Sequence, residues 1–364
     1  MTTREWTVRP LTPDDRDGVL DLFRRVFGES DVSREWWDWK YLENPAGLAV
    51  GYVAEVGTRI VGQYPAFPRR FSVGGRHTMV VLAGDVMVDP EFRRQGMFIE
   101  LARRTYKRAQ SQGFDVVFGF PNSNTHYAYI SGLGWTDVLP CAPLWLKPLS
   151  GAGIAARYLP YIGSTASRPI AWMEQMLRRI PRRQSKGAGQ VCIREVTVAD
   201  ELMDVVSASV ARLRTVTAVR DSEYLRWRYL ARPDQQYYAV VGFVDGAPVA
   251  YAVYCVRVER GLMSGFIMEL EICGEDAPVI GPRLCSYVTD RLRNQGVAVV
   301  SSLTMPSSRE SRVLRAAGFF RCPKRLMPRP LFLGHLMLGG DDAVPGLFAA
   351  PSSWYVSWGD HDVA

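Results

Sequence analysis

Leu82-Ala83-Gly84-Asp85-Val86-Met87-Val88-Asp89-Pro90-Glu91-Phe92-Arg93-Arg94-Gln95-Gly96-Met97-Phe98 changes character twice within one short stretch. It opens as an apolar strand that runs to Val88. Asp89-Pro90 stops the strand, because proline has no N–H to give a ladder. A basic loop follows, Arg93-Arg94-Gln95-Gly96, and a helix begins within it. Phe98, Leu101, Ala102, Thr105 and Ala109 form the apolar stripe of that helix at helical spacing. Strand, glycine-bearing loop and helix N-terminus in this order make an anion site. Free N–H groups converge there and the helix dipole adds partial positive charge. Gly96 lets a ligand come close to the backbone, and the arginines attract it from a distance. Regular alternation puts Asp85 on one face of the strand with Ala83 and Met87.

The loop is neither GxxxxGK[ST] nor GxGxxG, which argues against an NTP-hydrolysing loop and a dinucleotide fold. It resembles the acyl-CoA signature of the GNAT superfamily of N-acyltransferases, Arg/Gln-x-x-Gly-x-Gly/Ala, with Arg93, Gly96 and Phe98 at the three defined positions. Phe98 stands where that signature has a small residue. The resemblance implies acetyl-CoA or another acyl-CoA as co-substrate and no metal. It implies that Arg93, Arg94, Gln95, Gly96, Met97 and Phe98 surround the pyrophosphate, and that Met87 and Val88 pair with the pantetheine arm. A second segment, Val116 to Phe120 followed by Pro121 to Trp135, looks like the family pattern of an Asn before a short helix ending in Tyr-x-x-x-Gly-Phe. Strict register falls on Ser123 and Ile130; Asn122, Asn124 and Tyr129 are each one residue away. The pattern implies Asn122 and Asn124 beside the pantetheine, and Tyr129 as the acid for the leaving thiolate.

Such a reaction is direct attack of an amine on a thioester, helped by positioning and by removal of one proton. Asp85 is the acid within the strand, and a carboxylate among apolar residues needs a partner or a function. It is the candidate base. His126 is a further candidate for proton transfer, and Glu269 or Glu271 of the second half could project into a shared cleft.

The chain repeats itself. Glu35-Trp36-Trp37-Asp38-Trp39-Lys40-Tyr41-Leu42-Glu43-Asn44-Pro45 aligns with Glu223-Tyr224-Leu225-Arg226-Trp227-Arg228-Tyr229-Leu230-Ala231-Arg232-Pro233, with five identities. Val8-Arg9-Pro10 and Ile193-Arg194-Glu195 precede them as strands before helix starts that Thr or Asp can cap. Each half then has a hairpin, and a late helix ending at Gly134-Trp135 or Gly318-Phe319, suited to a left-handed cap. The reading is α/β (α+β), with two GNAT-like domains, each a mixed sheet flanked by helices. Residues 1–150 form the acyl-CoA-binding half, 151–190 a linker with an amphipathic basic helix, and 191–340 a degenerate half. The tail, 341–364, has an alternation that suits a docking strand. After Ile272 the second half reads Cys273-Gly274-Glu275-Asp276, acidic and without Arg-x-x-Gly, so cofactor binding is expected in the first half alone.

With 364 residues, 47% hydrophobic and 22% charged, the composition excludes disorder and a disulfide miniprotein. The net charge of +7 suits a phosphorylated or carboxylated ligand as well as nucleic acid. No basic patch interleaved with aromatics is present to stack bases, so no nucleic acid is expected. Six single cysteines and no apolar leader point to a cytoplasmic protein. The near-apolar run from Ala239 to Val256 contains Asp245-Gly246 and reads as a hairpin, not a membrane span. The expected partner is a small-molecule amine; resemblance to bacterial family members implies an amino sugar or natural-product intermediate. Two other readings are a non-catalytic acyl-CoA-binding tandem protein and a Fem-like aminoacyl transferase using charged tRNA. The acyl-CoA loop argues against the latter.

Overall fold

The computed structural model describes residues 5–28, 32–151, 190–259, 261–323, 327, 330–339 and 344–361. The linker helix expected from the sequence, and its basic run at 178–186, lie outside the described residues. The first half contains β1 (Thr7–Pro10), α1 (Arg16–Phe27), α2 (Arg34–Tyr41), β2 (Val50–Val56), β3 (Arg59–Val73), β4 (Arg76–Ala83) and β5 (Met87–Val88). It continues through α3 (Met97–Ser111), β6 (Val116–Gly119), β7 (Thr136–Leu139) and β8 (Leu144–Pro148). The second half repeats the plan with β9 (Val191–Val196), α4 (Glu201–Ala211), β10 (Val216–Ala218), α5 (Ser222–Leu225), β11 (Tyr238–Val244), β12 (Ala247–Glu259) and β13 (Leu262–Ile272). Then come α6 (Ala277–Asn294), β14 (Val299–Leu303), α7 (Arg309–Ala316), β15 (Phe320–Arg321), β16 (Leu333–Met337) and α8 (Val344–Ala349).

The halves trade strands. The first sheet runs β1-β2-β3-β4-β6-β16-β7, with β5 and β10 also paired to β3. The second runs β15-β8-β14-β13-β12-β11-β9. Thus β8 from the first half lies against β14, and β16 from the second lies between β6 and β7. Limits drawn near 150 and 340 therefore divide the chain but not the sheets.

Packing follows the same logic. Leu101 and Ala102 of α3 close one face of the first sheet, and Ile280 and Leu284 of α6 close one face of the second. The remaining faces share one core, in which Leu22, Trp37 and Val80 join Met203, Val206 and Tyr251. The repeated aromatic helices meet there. Trp39 Nε1 donates to the Trp227 carbonyl at 2.7 Å, and Trp227 Nε1 donates to the Trp39 carbonyl at 2.8 Å. Their rings stack with centroids 5.2 Å apart.

Helix ends obey the sequence. Asp15 accepts from the Thr12 amide at 2.8 Å and Asp200 from the Leu202 amide at 2.9 Å. Gly134 and Gly318 adopt φ of 76° and 86°, the left-handed cap conformation. Among the described residues the tail docks on the core by α8, short helical turns and a single bridge from Trp354 to Val216, and not by a strand.

Candidate active site

Both sheets fork. β4 and β6 run parallel from Val80 opposite Val116 to Ala83 opposite Gly119. Beyond Ala83 the chain leaves that ladder, and β5 continues on β3 alone. Ala83 faces Ala66 and Met87 faces Gln63, so β3 spans this interval with one residue fewer. The extra residue makes a bulge, which bends the strand and re-aims its side chains.

Asp85 sits in that bulge with φ of 49°, so simple alternation with Ala83 and Met87 does not describe its direction. Lys40 Nζ donates to its Oδ1 at 2.8 Å, and the Tyr41 hydroxyl donates to Oδ2 at 3.2 Å. Gln63 Nε2 donates to the Asp85 carbonyl at 2.8 Å and to the Tyr41 hydroxyl at 3.0 Å. The Lys40 and Asp85 side chains are 6% and 7% exposed, so the bulge is held by a buried ion pair. Lys40, Tyr41 and Gln63 escape sequence reasoning. The available signal was the repeat, which places a cation and a tyrosine at Lys40/Arg228 and Tyr41/Tyr229.

The loop after β5 is anchored by Asp89, which accepts from the Glu91 amide at 3.1 Å, Arg25 Nε at 2.9 Å and Arg59 Nη2 at 2.7 Å. Burial pushes its carboxyl up, but the Glu91 amide and the two guanidiniums outweigh burial and hold it below the usual carboxylate value. Arg93 Nε donates to the Val88 carbonyl at 3.2 Å, and Gln95 Nε2 to the Glu91 carbonyl at 3.4 Å. Arg93, Arg94, Gln95 and Gly96 are exposed. Gly96 has φ of 80°, and a Cβ placed there would meet nothing within 4 Å. Glycine is required by this backbone conformation, and the space before it is open. The Glu100 amide bonds the Gly96 carbonyl at 3.1 Å as the helix starts, so the amides of Met97, Phe98 and Ile99 precede the helical ladder. The Met97 side chain turns inward against Gly62.

Phe98 packs edge-on to Tyr64 and Tyr129, at centroid distances of 5.7 and 5.3 Å. Tyr129 is buried in this cluster, and its hydroxyl accepts from Tyr64 at 3.2 Å. Tyr64 also meets Tyr106 at 2.5 Å, and Trp135 Nε1 donates to Tyr106 at 3.0 Å. Burial and the neighbouring phenols raise Tyr64 well above its ordinary value, and burial does the same for Tyr106. Asn122 uses its Oδ1 to accept from the amides of Asn124 at 2.9 Å and Thr125 at 3.2 Å, which starts the next helical turn. Asn124 is exposed. His126 is clamped between Asp137, 2.9 Å from its Nε2, and Phe332, stacked at 3.9 Å. The structure therefore gathers Asp85, Met87, Val88 and the loop at one fork. It gives His126 and Asn122 local partners, and sets Tyr129 in the aromatic cluster beneath α3.

In the second half Glu269 takes the place of Asp85: Tyr229 donates to its Oε1 at 2.7 Å. Neither Glu269 nor Glu271 projects into a cleft. Both are fully buried, Glu269 on Arg220 at 2.8 Å and Glu271 on Arg214 at 2.7 Å. Arg220 also holds Asp360 of the tail at 2.6 Å. Among the described residues, no cluster of side chains could hold a metal, and no helix is long and apolar enough to cross a membrane.

No curated protein matches the sequence. A family model described as an acetyltransferase (GNAT) domain matches residues 7–137. Among solved structures, a probable N-acyltransferase from Enterococcus faecalis superposes with a TM-score of 0.64 at 12% identity, covering 92% of this chain and 73% of that one. A GCN5-related N-acetyltransferase from Anabaena variabilis gives 0.61 at 13% identity, with coverage of 92% and 73%. Saccharomyces cerevisiae N-myristoyltransferase with bound myristoyl-CoA gives 0.60 at 13% identity, with coverage of 93% and 83%. At such identities the likeness is one of fold, and it extends over both halves. The match to a GNAT acetyltransferase domain thus lies within residues 7–137, and the likeness of fold to N-acyltransferases takes in the second sheet as well.

Proposed function

We propose that the protein moves an acetyl or short acyl group from acyl-CoA to the amine of a small-molecule acceptor, by direct transfer at the first-half fork. One observation carries the reading. β5 leaves β6 at a bulge bearing a buried acid, and an exposed Arg93–Gly96 loop with left-handed Gly96 leads at once into α3. Amides at the start of α3, with Arg93, Arg94 and Gln95 beside them, suit a pyrophosphate. Met87 and Val88 offer backbone to the pantetheine, with Asn122 and Asn124 on the opposite arm of the fork.

The amine nitrogen attacks the thioester carbonyl, the C–S bond breaks, and the thiolate takes up a proton. Asp85 is assigned the proton that the amine loses, directly or through one water, with Lys40 and Tyr41 fixing the carboxylate. Proximity supplies the larger part of the acceleration. Incubation of the full chain with acyl-CoAs of graded chain length and a panel of amino sugars and other amines, reading thiol release, tests the proposal. Amine-dependent release that fades with longer chains is expected. Binding of acyl-CoA without release for any amine would favour the non-catalytic reading.

A further inference from the structure

The second fork is open as well, and it is lined differently. β13 runs on to Ile272 along β12 after parallel pairing with β14 has ended at Ile267 opposite Ser302. Between the diverging ends lies a cavity of about 620 Å³, within the usual range of about 300–1,000 Å³ for small-molecule sites. Leu213, Met305 and Trp354 give it an apolar body. Its charged lining is three arginines, Arg214, Arg309 and Arg312, against Glu310 alone. Glu310 is engaged by Arg214 at 2.7 Å. Arg309 crosses to the carbonyls of Ile272 at 3.3 Å and Gly274 at 3.1 Å, and Arg312 reaches the Ser307 carbonyl at 3.4 Å. Among the described residues neither pairs with a carboxylate. Two cations therefore border a cavity of mixed apolar and polar lining, and their hydrogen bonds go to backbone carbonyls.

We infer that this cavity is a second ligand site, which takes an amphipathic anion: an apolar body carrying one carboxylate or phosphate. The acidic Glu275-Asp276 turn disfavours the polyanionic pyrophosphate of CoA there. A single anionic head between Arg309 and Arg312 carries less charge than the pyrophosphate and so meets less of that repulsion. The inference goes beyond the transfer reaction and does not depend on it.

Titration calorimetry of the full chain with octanoate, octyl phosphate and 1-octanol, each below its aggregation threshold, tests the inference. One site per chain is expected for one or both anions, at least fivefold tighter than for octanol and weakened by added salt. The tighter of the two anions identifies the head group. Arg312→Glu, at an exposed position, should weaken the anion at least fivefold. Leu213→Trp should block it sterically with the charges unchanged. Both variants should retain wild-type acetyl-CoA affinity. Absence of binding, equal binding of octanol and the anions, or anion affinity unchanged in both variants would overturn the site.

Discussion

Asp85 is both the candidate base and the counter-ion of a buried ammonium, and the two roles give different mutant signatures. Asp85→Asn leaves Lys40 buried without its carboxylate, a kind of change that typically costs about 3–5 kcal/mol. A fall in melting temperature is therefore expected beside any fall in rate. The double variant Lys40→Met/Asp85→Asn removes both charges and should recover most of the stability. If Asp85 accepts the proton, turnover of the double variant stays about 10²–10⁴-fold low while acyl-CoA affinity is retained. A rate near wild type would move the role to Tyr129 or His126. Gly96 separates in another way. Its φ of 80° makes Gly96→Ala cost about 1–2 kcal/mol although a Cβ has open space. If the proposed pyrophosphate site is at this loop, Gly96→Glu adds repulsion there and should weaken acyl-CoA at least tenfold, about 1.4 kcal/mol, by calorimetry. The loop and the strand stop at Asp89-Pro90 were legible because they are local. The Lys40–Asp85 pair was not, since it joins residues far apart in sequence through a bulge that no periodicity announces.

At the scale of elements, the aromatic segment was visible in sequence as a repeat, but not that its two copies clasp each other. Trp39 and Trp227 exchange reciprocal hydrogen bonds through backbone carbonyls, a pattern that needs the fold to bring them together. Trp39→Phe strands the Trp227 carbonyl, and a buried polar group so left costs about 1–3 kcal/mol. Trp39→Phe, Trp227→Phe and the double variant should show coupling in urea unfolding. Strand exchange escaped for a similar reason: β8 and β16 are short segments whose partners lie in the other half. His335 of β16 records that insertion. Burial lowers its imidazole from 6.5 to about 4, so between those values the unfolded chain binds more protons than the folded one. Its contribution is intact above about pH 6.5 and is lost as pH falls toward 4, by up to about 1.4 kcal/mol per pH unit. His335→Phe should make stability measured by urea less sensitive to pH in that window; equal pH dependence in both proteins would contradict the assignment.

For the whole molecule, two sheets that trade strands across one shared core are a single folding unit with two unlike forks. Its α/β class and twofold plan could be read from composition, the repeat and the turn chemistry. The proposed difference between the forks rests on the loop that follows each strand: Arg93–Gly96 after the first, Cys273–Asp276 after the second. The central claim is that acyl-CoA binds at the first fork alone. Calorimetric titration of acetyl-CoA into the full chain, repeated with Gly96→Glu, tests it most directly. The account predicts one site per chain, weakened at least tenfold by the substitution. Two equivalent sites, or one site with unchanged affinity in Gly96→Glu, would contradict it.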